Sequence, residues 1–206
     1  MREYTDLSAG FCERKFEGGA KNIKLPLVLP FAGLPEKLVF DYNFVPPEDS
    51  GQNCFFIELN SLSGKIDVFC NSQKVALHIS LYSVVRIELT DYIRQNTENN
   101  IRLEVTPFER ADGCFAFGGA RLIMTDKTHF GLLSDGDDGI TLRTVLRENT
   151  ALVSIKADIV NPNNYDVVVF TLYDPKGRAL ETHTAKPTCA APAADAGRRA
   201  AAAFGN

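Results

Sequence analysis

The 206-residue sequence has no tryptophan and only three histidines. It has no apolar run near the roughly 18 uninterrupted residues that a membrane helix needs. The N-terminus, Met-Arg-Glu-Tyr-Thr-Asp, has no apolar core of signal-peptide length behind it. A soluble, cytoplasmic protein with no membrane partner is expected. Basic residues are scattered: 22 Lys and Arg against 26 Asp and Glu leave a net charge of −4 and a pI near 5.4. With no dense basic run, nucleic acid and anionic membranes are excluded as partners. His78 and His129 lack a second ligand at metal spacing, so no zinc site is expected. Neither a Gly-rich phosphate loop nor a Ser/His/Asp order with supporting context is present. The five cysteines, Cys12, Cys54, Cys70, Cys114 and Cys189, are odd in number and show no paired framework. Cys54 and Cys70 fall inside strand patterns and read as small buried hydrophobes.

What is present is alternation, strongest from Lys65 to Thr106. Ile66/Val68, Ile87/Leu89 and Ile101/Leu103/Val105 point one way; Arg86/Glu88/Thr90 and Arg102/Glu104 point the other. A period of two means strands with one face buried and one wet. The turn at Asn71-Ser72-Gln73-Lys74 makes neighbouring runs pair antiparallel.

Around this centre, residues 1–24 are polar and irregular. The prolines of Ile23–Phe31 exclude a helix or a central strand and leave an extended edge segment that wraps the domain. Lys37–Val45 alternates through Leu38, Phe40, Tyr42 and Phe44 and stops at Pro46-Pro47. Cys54–Leu59 reads as a largely buried strand, Asp91–Arg94 as a single helical turn, Thr106–Phe117 as an irregular connection and Arg121–Thr125 as a further strand. Short strands with no long helix define an all-β, jelly-roll β-sandwich over residues 1–131.

Gly131–Gly139 is acidic, Gly-rich and aperiodic, as linkers are. Beyond it, alternating runs begin at Ile140, Leu152, Val167 and Ala179, with turns at Asn161–Asn164 and Asp174–Gly177. Residues 138–186 therefore open a second sandwich of immunoglobulin type. That fold needs about seven strands and about 100 residues, so a partial domain is expected. Residues 187–206 are Ala-rich without a β pattern and read as a disordered tail, with room for a short helix over Arg198–Phe204. An incomplete sandwich leaves open sheet edges and an exposed apolar face, so self-association is expected.

The order of signals resembles the N-terminal part of glycoside hydrolase family 2, the β-galactosidase and β-glucuronidase group. The resemblance rests on the Leu-Pro wrap segment, the hairpin Ile66–Val75, Thr90-Asp91-Tyr92-Ile93, the strand Asn100–Val105 and Phe117-Gly118-Gly119. It continues through Leu122-Ile123, Thr125-Asp126-Lys127-Thr128-His129-Phe130, Asn161-Pro162 and Asp174-Pro175-Lys176-Gly177, and so covers about Ile23 to Thr184. It implies a sugar-binding jelly roll followed by the immunoglobulin-like domain that leads to a catalytic (β/α)₈ barrel. Its implied partners are a carbohydrate (a β-galactoside or β-glucuronide) and the barrel itself. The sequence departs from the family where Ser72 replaces a turn glycine and Ser80-Leu81-Tyr82 stands for Gly-Gly-Tyr. The run after Gly118-Gly119 is also shortened, with Arg121 as the nearest equivalent of the family arginine.

A retaining glycosidase needs two carboxyls about 5–5.5 Å apart, which the family carries on a barrel of about 250 residues. No such barrel fits here, so no catalytic residue, metal or cofactor is assigned to this chain. Glu58, Glu88 and Glu104 read as solvated charges on wet strand faces. The loop Asp135-Gly136-Asp137-Asp138-Gly139 lacks the spacing of an EF-hand and reads as a linker. Because a family carboxylate near this junction helps to position the sugar, the resemblance makes Asp135 and Asp138, with Arg121, the candidate substrate-positioning residues. Phe108, Phe115, Phe117, Tyr82 and Tyr92 read as packing aromatics before sugar-stacking ones. The expected function is a non-catalytic fragment of a family 2 hydrolase of terminal β-glycosidic bonds; the alternative is a free-standing carbohydrate-binding, lectin-like module.

Overall fold

Alternation in the sequence becomes strand pairing in the computed structural model, which describes residues 2–15, 19–148, 150–163, 166–189 and 199–204. The chain divides into two units, Met1–Asp126 with Ser134–Gly136, and Lys127–Leu133 with Asp137–Asn206.

The first unit contains β1 (Arg2–Asp6), β2 (Cys12–Lys15), β3 (Gly19–Asn22), β4 (Leu27–Pro30), β5 (Leu38–Phe44), β6 (Cys54–Asn60), β7 (Gly64–Cys70), β8 (Gln73–Ser80), β9 (Val84–Glu88), β10 (Asn99–Pro107), β11 (Cys114–Phe117) and β12 (Gly119–Thr125). A four-stranded sheet runs β1-β12-β6-β9, a six-stranded sheet β3-β2-β5-β10-β7-β8, and β4 pairs with β11; every pairing is antiparallel. Phe40, Ile66, Val68, Ile101, Leu103 and Val105 from the six-stranded sheet form one core with Phe55, Ile57, Leu59, Val85 and Leu122 from the four-stranded one. Each such side chain contributes about 1.5–3 kcal/mol on burial.

The hairpin between β7 and β8 closes on Asn71 (φ 51°) and Ser72 (φ 67°), the two positive-φ positions of a two-residue turn. Asn71 also binds the end of β10: its Nδ2 donates to Tyr92 O (2.8 Å) and Asn99 Oδ1 (2.7 Å), and its Oδ1 accepts from Asn100 N (3.1 Å). Asn99, fully buried, donates in turn to Arg94 O and Thr97 O and accepts from Arg94 N. The side-chain amides thus satisfy the backbone of the 3-10 turn at Thr90–Tyr92 and of the segment after it.

Three expectations are corrected in this unit. The polar N-terminal segment is not irregular: β1 is an edge strand on β12, and β3 is an edge strand on β2, which pairs in turn with β5. Edge strands pair through the backbone and leave side chains in solvent, so no alternation announces them. The connection Thr106–Phe117 contains β11, and its Phe115 and Phe117 are core residues. Glu58 and Arg86 are not on a wet face; both are buried. Cys12, Cys54, Cys70 and Cys114 form no disulfide. Burial pushes the Cys70 thiol up to about 11 against the opposing charge of Arg94, so it is an inert core thiol.

The second unit holds β13 (His129–Phe130), β14 (Ile140–Arg147), β15 (Thr150–Val160), β16 (Val168–Tyr173), β17 (Ala179–Ala185), β18 (Thr188–Cys189) and β19 (Arg199–Phe204). β15 pairs with β13, β14 and β19, β18 pairs with β19, and β16 and β17 form a separate hairpin. The four sequence-expected strands are β14 to β17. The tail differs from its expectation: residues 199–204 are extended and pair with Ile155–Val160, and are neither helix nor coil. An open edge of β15 supplies backbone donors and acceptors that any extended segment can satisfy. Residues 190–198 of the tail lie outside the described residues.

Candidate functional site

The residues with site chemistry lie on one rung of the four-stranded sheet. Asp6 faces Arg121, Arg121 faces Glu58, and Glu58 faces Arg86, so the register alternates acid and base across all four strands. Directly paired residues share a sheet face. β6 is buried along Cys54–Leu59 on both faces, which places the Glu58 carboxylate inside the protein.

Two guanidinium groups hold that carboxylate. Arg86 donates from Nε (3.1 Å) and Nη2 (2.7 Å) to Oε2. Arg121 donates from Nη2 to Oε2 (3.1 Å), and its Nε lies 2.7 Å from Oε1 as a charge contact. Burial pushes the Glu58 carboxyl up, but the hydrogen bonds and charges of Arg121 and Arg86 outweigh it, and the group lies below its ordinary value of 4.5. Glu58 is thus a fixed anion near neutral pH, unsuited to proton transfer.

Arg86 and Arg121 differ in exposure. The Arg86 side chain is 2% exposed, whereas that of Arg121 is 40% exposed and lies over the Tyr4 ring, 4.4 Å from its centroid. Glu58 and Tyr4 hold the Arg121 guanidinium in place at the surface, where it can donate to an anion or a hydroxyl. The loop Ser134–Gly136 is fastened to β9, the edge strand on the far side of β6 from Arg121. Arg86 N donates to Ser134 O (2.9 Å), and Gly136 (φ +88°) packs so closely that a Cβ there would lie 2.7 Å from Val84. Asp135 sits between these two anchors and is exposed. Gly118 makes a comparable close approach: a Cβ would meet Ser61 Cβ at 2.9 Å, and its N–H donates to Asn60 O.

Of the three sequence candidates, Arg121 and Asp135 belong to the first unit and Asp138 to the second. Asp138 is exposed and follows Asp137, whose carboxylate accepts from Gly139 N (2.8 Å). Arg86 and Tyr4 were not singled out as site residues from the sequence, and Glu58 was read as a solvated surface charge. The available signal was a lone glutamate in the apolar run Cys-Phe-Phe-Ile-Glu-Leu, since a charge on a strand buried on both faces requires a partner. Tyr82 is exposed under the Arg110 guanidinium, while Tyr92 packs on the core. Among the described residues, no group of three His, Cys, Asp or Glu side chains is arranged to hold a metal ion. No helix among them is long and apolar enough to cross a membrane.

No family model and no curated protein matches the chain. Solved structures do. A β-glucuronidase from Bacteroides uniformis superposes with a TM-score of 0.82 at 17% identity, over 100% of this chain and 28% of that one. A putative β-galactosidase from Bacteroides fragilis gives 0.83 at 15% identity, over 99% and 35%. A glycosyl hydrolase family 2 member from Bacteroides cellulosilyticus gives 0.75 at 14% identity, over 98% and 31%. The all-β fold is therefore that of the β-sandwich region of family 2 glycosidases, and the chain spans about a third of their length or less.

Proposed function

We propose that the chain is the non-catalytic N-terminal part of a family 2 glycoside hydrolase of β-galactosidase or β-glucuronidase type. The supporting observation is coverage: essentially the whole chain superposes on such enzymes, while most of each enzyme has no counterpart here. The first unit is then the jelly-roll, sugar-binding-type domain and the second a partial immunoglobulin-like domain. The parent reaction is hydrolysis of terminal β-glycosidic bonds. Its catalytic carboxylates belong to a barrel, which is the main partner of this chain.

In that assembly Arg121, with Asp135 and Asp138 on the junction segments, helps to position the sugar. The surface guanidinium of Arg121, fixed by Glu58 and Tyr4, supports this role. It equally supports the second reading, a free-standing carbohydrate-binding module. The coding sequence after Lys186, translated in each frame, separates the two. A barrel of about 250 residues with its glutamate pair supports the proposal; a stop in every frame leaves the binding module, to be tested on a glycan array.

A further inference from the structure

The turn between β7 and β8 is the dipeptide Asn71-Ser72. In a chain free to move, such a pair carries a reaction of its own. The backbone nitrogen of the serine attacks the side-chain carbonyl carbon of the asparagine and forms a five-membered imide. The C–Nδ2 bond breaks, and the proton of the attacking N–H leaves with the ammonia. Water then opens the ring at either carbonyl, which leaves aspartate or isoaspartate in place of the asparagine. Water is the only co-reactant.

The fold opposes the first step. Asn71 Nδ2 donates to Tyr92 O and Asn99 Oδ1, and Oδ1 accepts from Asn100 N. The backbone is held as well, with Asn71 N donating to Asn100 O at 2.9 Å. To bring its carbonyl carbon onto the Ser72 nitrogen, the side chain has to give up these bonds, so the reaction requires local opening of the turn.

The product does not fit the closed turn. A carboxylate has no hydrogen to donate. Tyr92 O and Asn99 Oδ1, at 2.8 and 2.7 Å from Nδ2, would each face an oxygen. Asn99 cannot turn its amide round to help, because Nδ2 already donates to Arg94 O and Thr97 O and Oδ1 accepts from Arg94 N. Isoaspartate, for its part, adds a backbone methylene to a turn that sets Cys70 against Gln73.

We propose that Asn71 is a fold-gated deamidation site: the native network shields it, and a chain that has opened and reacted there does not regain the native turn. Ser72 then acts twice. Its side chain is strained at φ 67°, where glycine would not be, but it also crowds the attacking nitrogen. The proposal is independent of the glycosidase reading.

Peptide mapping of the full chain tests it, after incubation at mildly alkaline pH in buffer and in strong urea. Trypsin releases Ile66–Lys74, in which Asn71 is the sole asparagine. Mass and fragmentation read the change from amide to carboxylate at that residue. Conversion in buffer is expected to be about tenfold or more slower than in urea. Ser72→Gly converts faster than the parent in urea. Asn71→Asp weakens folding about tenfold or more in urea melts, while Asn96→Asp, at an exposed position, leaves the melt unchanged. Equal conversion in buffer and urea, an unaccelerated Ser72→Gly, an Asn71→Asp melt like the parent's, or an equal fall in both Asp variants would each overturn the proposal.

Discussion

Arg86 and Glu58 face each other on neighbouring strands, 2.7 Å apart and each no more than 4% exposed, and the carboxylate of Glu58 is shared with Arg121. A buried pair of this kind is a weak source of net stability, but it is expensive to break, because removal of one partner strands the other charge away from water. Glu58→Gln is therefore expected to destabilise the first unit by about 3–5 kcal/mol. The double variant Glu58→Leu, Arg86→Met recovers most of that loss. Urea melts followed by probes within residues 2–126 check both; equal loss in the single and double variants would contradict the pairing.

The same carboxylate sets an acid limit. The value for Glu58 in the folded chain lies below its ordinary 4.5. Its stabilising contribution is thus complete above that ordinary value and is lost as the pH falls through the folded one. Stability measured from pH 7 downward falls below about pH 4.5 in the parent chain, and this part of the fall is absent in Glu58→Gln.

Ser72 occupies a left-handed position at φ 67° and is exposed. Left-handed backbone costs a residue with a side chain about 1–2 kcal/mol, while glycine in the unfolded chain gives back about 0.4–1 kcal/mol. Ser72→Gly is expected to raise stability by the difference, about 0.5–1 kcal/mol, read from the same melts. Asn71→Gly does the opposite, because the Asn71 amide ties the turn to Tyr92, Asn99 and Asn100.

Gly136→Ala places a methyl against Val84 in a backbone region that side chains avoid. The expected result is release of the Ser134–Gly136 loop from β9. The Arg86 amide, which donates to Ser134 O, then loses hydrogen-exchange protection by about tenfold or more. Amides in the centre of β6 keep theirs.

The six-stranded sheet was legible because β5, β7 and β10 each bury one face, so Phe40, Val68 and Leu103 recur at a period of two. The bracing turns were legible too, as asparagines and prolines at strand ends. The edge strands β1 and β3 left no pattern, since they pair through backbone atoms with most side chains in solvent. Of the three candidates read from the sequence, Arg121 lies on the rung with Glu58 and Arg86, Asp135 on the loop fastened to β9, and Asp138 in the second unit. Glu58 was misplaced because alternation assigns every second residue to water, whereas Cys54, Phe56 and Glu58 are all buried on the second face of β6. Period alone does not tell a wet face from one that is covered.

The most direct test of the glycosidase assignment is hydrolysis of chromogenic β-glucuronides and β-galactosides by the purified chain, alone and after addition of a separately expressed catalytic barrel from the same gene. The account predicts no turnover by the chain alone and turnover that rises when it joins the barrel. Turnover by the chain alone that vanishes when its own carboxylates are replaced would contradict it.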